Sequence, residues 1–225
     1  MTFSIVAYEP EREEFGVAVC TGALFTGAVV PFLRRITGAA ASQAEANPYL
    51  GVDAMTLLGK GARADQALSR VLHRDSGAAR RQLVIIDKQG RTAAHTGAEC
   101  EGEAGHVEGR CHAVAGNMLA NDSVLRAVAS AFVDQPDLPM ARRLLAALKA
   151  GEMAGGDKRG SRSACIKVQG REFYNECDLR VDMHDQPLVK LDALVEAWHE
   201  PYLMKMRAKT WPRRYARSQV EGAES

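Results

Sequence analysis

The chain has 225 residues, 46% of them hydrophobic and 25% charged, with 29 Lys and Arg against 28 Asp and Glu for a formal net charge of +1 at pH 7. Such a length and composition suit one globular domain, and the even charge supplies no general field toward nucleic acid, membranes or acidic substrates. No stretch reaches the roughly 18 to 20 apolar residues of a spanning helix, and the start is too polar for a secretory signal, so a cytoplasmic protein is expected.

Residues 2–8 and 15–20 read as strands around the charged turn Glu9-Pro10-Glu11-Arg12-Glu13-Glu14, a hairpin pattern. Residues 22–31 mix glycine with β-branched residues, a composition suited to close backbone packing. Residues 38–43 predict a third strand beside the hairpin. Helices are expected over 48–59, with Pro48 in the first turn, and over 63–74, where Ala67, Leu68, Val71 and Leu72 recur at helical spacing. Strands return at 82–87 and 91–95 around Lys88-Gln89-Gly90, and at 111–116 as their neighbour.

The spacing of Val124, Leu125, Val128, Ala131 and Phe132 predicts an amphipathic helix, and a second is expected over 138–150, stopped by Gly151. Two more strands, 163–168 and 179–181, precede a last helix over 187–206. The expected organisation is a single domain over residues 1–206 with a basic tail over 207–225. Strands, helix pair, strands, helix pair, strands and helix in that order suit a sheet sandwich covered by helices on both outer faces.

The five cysteines, Cys20, Cys100, Cys111, Cys165 and Cys177, are odd in number and form no CxxC pair, which predicts reduced, mostly buried thiols. In the tail, Lys205, Arg207, Lys209, Arg213, Arg214 and Arg217 surround Trp211 and Tyr215. The near-neutral balance argues against nucleic-acid binding, and an arm packing its aromatics on a neighbouring subunit of a homodimer is expected instead.

Thr2 directly follows the initiator and opens the first strand. Once Met1 is removed, one residue carries both a hydroxyl and a free α-amine. An α-amine titrates near pH ~7.7 to 8.0, so a sizeable fraction is neutral base at physiological pH, one known way to activate a weak nucleophile. Many ordinary chains also have threonine second and use it for nothing.

Several stretches carry a family resemblance: Thr2-Phe3-Ser4-Ile5-Val6-Ala7, Gly16-Val17-Ala18-Val19, Gly27-Ala28-Val29-Val30-Pro31, Gln43-Ala44 with Ala46-Asn47-Pro48, Thr96-Gly97, Ala104-Gly105-His106, Gly116-Asn117-Met118-Leu119 and Gly155-Gly156-Asp157-Lys158-Arg159-Gly160. Their ordered set resembles the domain-of-unknown-function family 1028, itself similar to the N-terminal nucleophile (Ntn) hydrolases, over residues 2 to about 182. The resemblance implies an α+β fold, a four-layer αββα sandwich, and an amide-bond hydrolase acting on a small amide or peptide-like substrate without metal or cofactor. The family pattern has an aromatic residue at the position of Glu103, so the surface around His106 is expected to differ.

The expected catalytic group is Thr2, Asn117, His106 and Asp157. Asn117, between an apolar strand and the next helix, is the first candidate to donate to a tetrahedral oxyanion; the alternative is a turn asparagine satisfying local backbone. His106 is expected in a glycine-rich connecting loop, Gly102 to Gly109, where it either shuttles a proton or binds substrate, or simply faces water. Asp157 and Arg159, with Ser161 and Ser163, lie in a three-glycine loop where the carboxylate either holds the α-ammonium, orients Arg159, or closes a surface ion pair. Arg34, Gln43, Asn47 and Arg159 are the expected substrate contacts, with Arg35 and Ser42 as alternatives. A metal site from His95, His106 and His112 with Cys100, Cys111 or Glu103 fits no recognised zinc spacing. A non-catalytic binding protein on the same fold remains the other reading.

Overall fold

The computed structural model describes residues 2–211. Strands β1 (Thr2–Glu9) and β2 (Glu14–Thr21) form the expected hairpin, each one residue longer than its sequence pattern at one end or both. They are the two central strands of a six-stranded antiparallel sheet, with β8 (His112–Leu119) and then β7 (Glu103–Gly109) beyond β1, and β9 (Ser163–Gln169) and then β10 (Cys177–Val181) beyond β2.

The expected third strand is β4 (Gly38–Ala44), and it does not lie beside the hairpin. It belongs to a second sheet, in the order β3 (Pro31–Arg34), β4, β5 (Arg81–Asp87) and β6 (Thr92–Thr96). Ala39 and Ala41 pack against Val17 and Val19 across the gap, so β4 faces the hairpin instead of extending it. For the same reason the 111–116 strand is the neighbour of β1, not of β5 and β6. Alternation of inward and outward residues cannot distinguish a strand beside another from a strand opposite it.

A single-turn helix, α1 (Thr26–Val29), leads into β3, and three apolar layers hold the molecule together. Val6, Val17, Val19, Ala41, Val84, Ile86, Ala115 and Cys165 fill the space between the sheets. On one outer face, α2 (Pro48–Gly59) and α3 (Ala64–His73) bury Leu50, Ala54, Leu58, Ala67 and Val71 against the second sheet. On the other, α4 (Ser123–Val133), α5 (Met140–Met153) and α6 (Pro187–Trp198) cover Phe3, Ile5, Ala18 and Ile166 with Val128, Phe132, Leu144, Leu148 and Leu191. Burying each valine, leucine, isoleucine or phenylalanine among them contributes about 1.5–3 kcal/mol, and the four-layer αββα stacking lets both sheets bury both faces.

Local departures from the expected elements have particular causes. Gly151 does not stop α5: it lies within the helix because a Cβ there would stand 2.6 Å from Val128 Cγ2 and 2.8 Å from Phe3 Cε2, so its role is close packing over the sheet. The last helix breaks at Glu200-Pro201, where Pro201 cannot continue α6; Glu200 caps α7 (Pro201–Thr210) through Tyr202 N and Leu203 N. Thus α7 runs through the expected boundary at residue 206. Trp211 packs edge-on to Tyr174 at 5.3 Å and lies 6.0 Å from Trp198. Arg213, Arg214, Tyr215 and Arg217 lie outside the described residues.

Candidate functional site

Register places four polar residues in one row across the end of the larger sheet. Thr2 pairs with Thr21 on one side and Asn117 on the other, and Thr21 pairs with Ser163. By strand alternation all four point into the gap between the sheets, on the face that carries Val6, Val19, Ala115 and Cys165 deeper down. Thr21, Asn117 and Ser163 are buried, and Thr2 is half-buried at the mouth. The Thr2 and Thr21 hydroxyls are 3.1 Å apart, and Thr21 Oγ1 also accepts from Ala23 N at 3.1 Å.

Opposite this row the second sheet contributes Gln43, Gln82 and Thr96, again on the inward face. Gln82 is the hub. Its Oε1 accepts from Asn117 Nδ2 at 3.0 Å and from Gln43 Nε2 at 2.7 Å. Its Nε2, with two N–H groups to give, lies within hydrogen-bond distance of three acceptors, Gly116 O at 2.8 Å, Gly105 O at 3.0 Å and Thr96 Oγ1 at 2.9 Å, so one N–H is shared. A bulge between Glu103 and Gly105 shifts the β7–β8 register beside these two glycine carbonyls. Gln82 and Thr96 therefore join the sheets at the Thr2 end, and His106 Nδ1 extends the chain to 2.9 Å from Thr96 Oγ1.

A loop closes the site on the β2–β9 side. The Asp157 side chain is fully buried; Oδ2 accepts from Gly22 N at 2.5 Å, and Oδ1 accepts from Arg159 N at 2.8 Å and Arg159 Nε at 3.2 Å. Gly22 must be glycine for this docking, since a Cβ would meet Asp157 Oδ2 at 2.5 Å and Gly160 O at 2.9 Å. Ser163 Oγ donates to Ala23 O at 2.8 Å and accepts from Thr26 N at 3.3 Å, which ties the Gly22–Phe25 turn to the same sheet end. Ala44 (φ 68) and Met118 (φ 53), which directly follow Gln43 and Asn117, hold left-handed backbone that their side chains disfavour.

The expected residues divide on this geometry. Thr2, Asn117, Gln43, Asp157 and Arg159 lie around one end of the sandwich, with His106 at its exposed edge on β7 instead of in a loop. Glycines and charges in residues 102–109 disguise an edge strand. Asn47 caps α2, accepting from Tyr49 N at 3.1 Å, and its side chain also hydrogen-bonds Asp75. Ser42 turns to the helix side and donates to Asn47 O at 3.0 Å. Arg34 is at the other end of the second sheet, paired with Gly38 and exposed. Arg35 is there too, its Nε donating to Arg171 O at 2.9 Å with its guanidinium 3.9 Å from the Phe173 ring. The hairpin β3–β4 carries both arginines away from Thr2.

The three histidines do not converge. His106 is on the inner face, His112 is on the outer face of the same sheet with its ring 5.6 Å from Phe132, and His95 Nε2 is 2.9 Å from Ala78 O beneath α3. Among the described residues no group of three or more His, Cys, Asp and Glu could hold a metal ion. Nor, among them, is any helix long and apolar enough to cross a membrane.

Sequence reasoning missed Thr21, Gln82 and Thr96. The hairpin register held a signal for Thr21, because pairing Glu9 with Glu14 carries Thr2 onto Thr21. Thr96 stood in the Thr96-Gly97 stretch of the family resemblance without being given a role, and Gln82 carried no signal beyond being a polar residue at a strand end.

A model of the family of unknown function DUF1028 matches residues 2–191. No curated protein matches the chain. The crystal structure of protein SPO2555 from Silicibacter pomeroyi, of the same family, is 37% identical with a TM-score of 0.85, over 91% of this chain and 89% of that one. Anbu (ancestral beta-subunit) from Yersinia bercovieri is 12% identical with a TM-score of 0.40, over 95% of this chain and 100% of that one, a likeness too remote to bear on mechanism. The match over nearly the whole domain, with the resemblance of SPO2555 in both sequence and fold, makes this chain a member of the DUF1028 family.

Proposed function

We propose that the protein, once Met1 is removed, is an N-terminal-threonine hydrolase of a small amide or peptide-like substrate. The observation that carries this reading is the position of Thr2: at the start of a central strand, half-buried, and flanked in register by Asn117 and Thr21. Nucleophile, base and a candidate oxyanion donor then come from adjacent strands of a rigid sheet.

Thr2 Oγ1 attacks the substrate carbonyl carbon, and its proton passes to the free α-amine directly or through one water. The tetrahedral oxyanion is met by Asn117 Nδ2, whose second N–H remains after the bond to Gln82. Collapse breaks the C–N bond, the leaving amine takes the proton, and an ester on Thr2 remains. Water, deprotonated by the α-amine of Thr2, hydrolyses that ester, and the α-ammonium returns the proton to Thr2 Oγ1 as the acid departs. The scheme draws its base from the chain terminus and calls on no cofactor. Asp157 and Arg159 shape the wall beside Thr21, and His106 lies at the rim.

The test is acylation by an activated acyl ester, followed by mass spectrometry of the N-terminal peptide. The reading expects an adduct on Thr2 of the processed chain and none in a folded Thr2→Ala variant. Undiminished acylation or turnover in Thr2→Ala removes it.

A further inference from the structure

A carboxamide can be seated in two orientations, and at Gln82 the neighbours decide between them. Gly116 O and Gly105 O, at 2.8 and 3.0 Å, can only accept, so the Gln82 NH2 group must face them. Its Oε1 consequently faces Gln43 and Asn117, and both must offer N–H to it. Gln43 is left with its own carbonyl oxygen turned away. That oxygen is buried with no hydrogen-bond partner among the described residues, in a side chain only 1% exposed. Flipping Gln43 would set two carbonyl oxygens 2.7 Å apart, so the orphan is imposed by the network. Ser4 Oγ, the next inward position after Thr2 on β1, is likewise buried and unpartnered.

Unpaired buried acceptors are rare, and a site built to take a hydrogen bond rejects molecules that cannot give one. Gln43 shares the Gln82 oxygen with Asn117, so this acceptor and the candidate oxyanion donor belong to one rigid unit beside Thr2. The acyl group is the part of a substrate present through both halves of the reaction. It is therefore the part a fixed acceptor serves throughout.

We infer that Gln43 is a specificity-determining residue whose Oε1 accepts a hydrogen bond from an N–H on the acyl side of the substrate, making the substrate class N-acylamino or ureido compounds rather than simple acyl amides. The inference rests on the Thr2 reading above. Leaving that oxygen unpaired costs a substrate without the N–H roughly 10- to 100-fold in acylation rate.

A matched pair of probes tests it: the p-nitrophenyl esters of N-acetylglycine and of acetoxyacetic acid, which differ in having N–H or O at one position. Release of p-nitrophenolate by the processed chain is measured for each, divided by its spontaneous hydrolysis rate, and the adduct is located by mass spectrometry. The expected result is a preference of roughly 10- to 100-fold for the N–H probe, falling toward unity in Gln43→Met. Equal rates on Thr2 in the wild-type chain overturn the role of Gln43 while leaving the nucleophile intact. Failure of both probes to acylate Thr2 removes the nucleophile, and this inference with it. The wild-type ratio alone decides the matter if Gln43→Met does not fold.

Discussion

Replacing Gln82 with methionine keeps the approximate volume of the side chain and removes every polar atom. Five partner groups lose their bonds at once: the Gly105 and Gly116 carbonyls, the Thr96 hydroxyl, and the amides of Gln43 and Asn117. Gln82 is fully buried, so water does not readily replace it. One stranded buried group costs about 1–3 kcal/mol, but neighbours relax together and such losses do not add, so the expected destabilisation is about 3–5 kcal/mol. For a chain of this size each kcal/mol moves Tm by about 2–4 °C, which gives a fall of roughly 6 to 20 °C. Calorimetric melting at fixed pH reads it directly. A double variant with Gln43→Met should lose less than the sum of the two singles, because they share a bond. A Tm drop under about 3 °C, or strict additivity, refutes the view that Gln82 ties the two sheets together at the site.

The Gly22→Ala variant forces its Cβ against Asp157 Oδ2 and Gly160 O; it should suppress Thr2 acylation by roughly tenfold or more while the melting temperature changes modestly, and full acylation contradicts the docking role of that loop. Burial raises the thiol pKa of Cys20, and of Cys165 and Cys177 to about 12, while Cys100 and Cys111 are only partly covered and rise less. An aromatic disulfide reagent at mildly alkaline pH should therefore modify Cys100 and Cys111 in the native chain and all five cysteines only after unfolding. Burial, and secondarily the Arg143 charge, hold the His112 imidazole below its ordinary 6.5, against the opposing hydrogen bond to Arg110 O. The unfolded chain then binds the proton more readily, so stability is full above 6.5 and is lost as pH falls from there toward the depressed folded value. Denaturant melts at about pH 7.5 and about pH 5.5 should show a smaller loss in His112→Gln than in wild type, and equal losses refute the assignment.

The parts of the fold legible in the sequence were those governed by local chemistry. The β1–β2 hairpin followed from alternation around a charged turn, α2 from Pro48 in its first turn, and α4 from its apolar spacing. Strand β3 was not legible, because four residues opening on a proline at a sheet edge carry no period. Strand β7 was hidden in the same way, being an exposed edge whose existence depends on pairing with β8. The sheet to which β4 and β8 belong is a tertiary choice: each strand alternates in the same manner whether it extends the hairpin or faces it.

The site shows the same division. Thr2 and Asn117 stood out through the resemblance, and their adjacency is set by strand register. Arg34 and Arg35 drew attention as cations near a strand, yet the direction of that strand takes them to the far end of the molecule. Asn47 drew attention as a substrate contact, yet its side chain is used to cap α2. Gln82 gave no local sign, since its importance comes from partners at positions 43, 96, 105, 116 and 117.

The claim at the centre of this account is that a free amino-terminal Thr2 is the nucleophile. Mass spectrometry of the N-terminal peptide after exposure of the native protein to the N-acetylglycine ester tests it in one measurement. The account predicts a peptide that begins at Thr2, lighter by one methionine residue and carrying the acyl group. A native chain that keeps Met1 and still turns over the ester, or an adduct on any other residue, contradicts it.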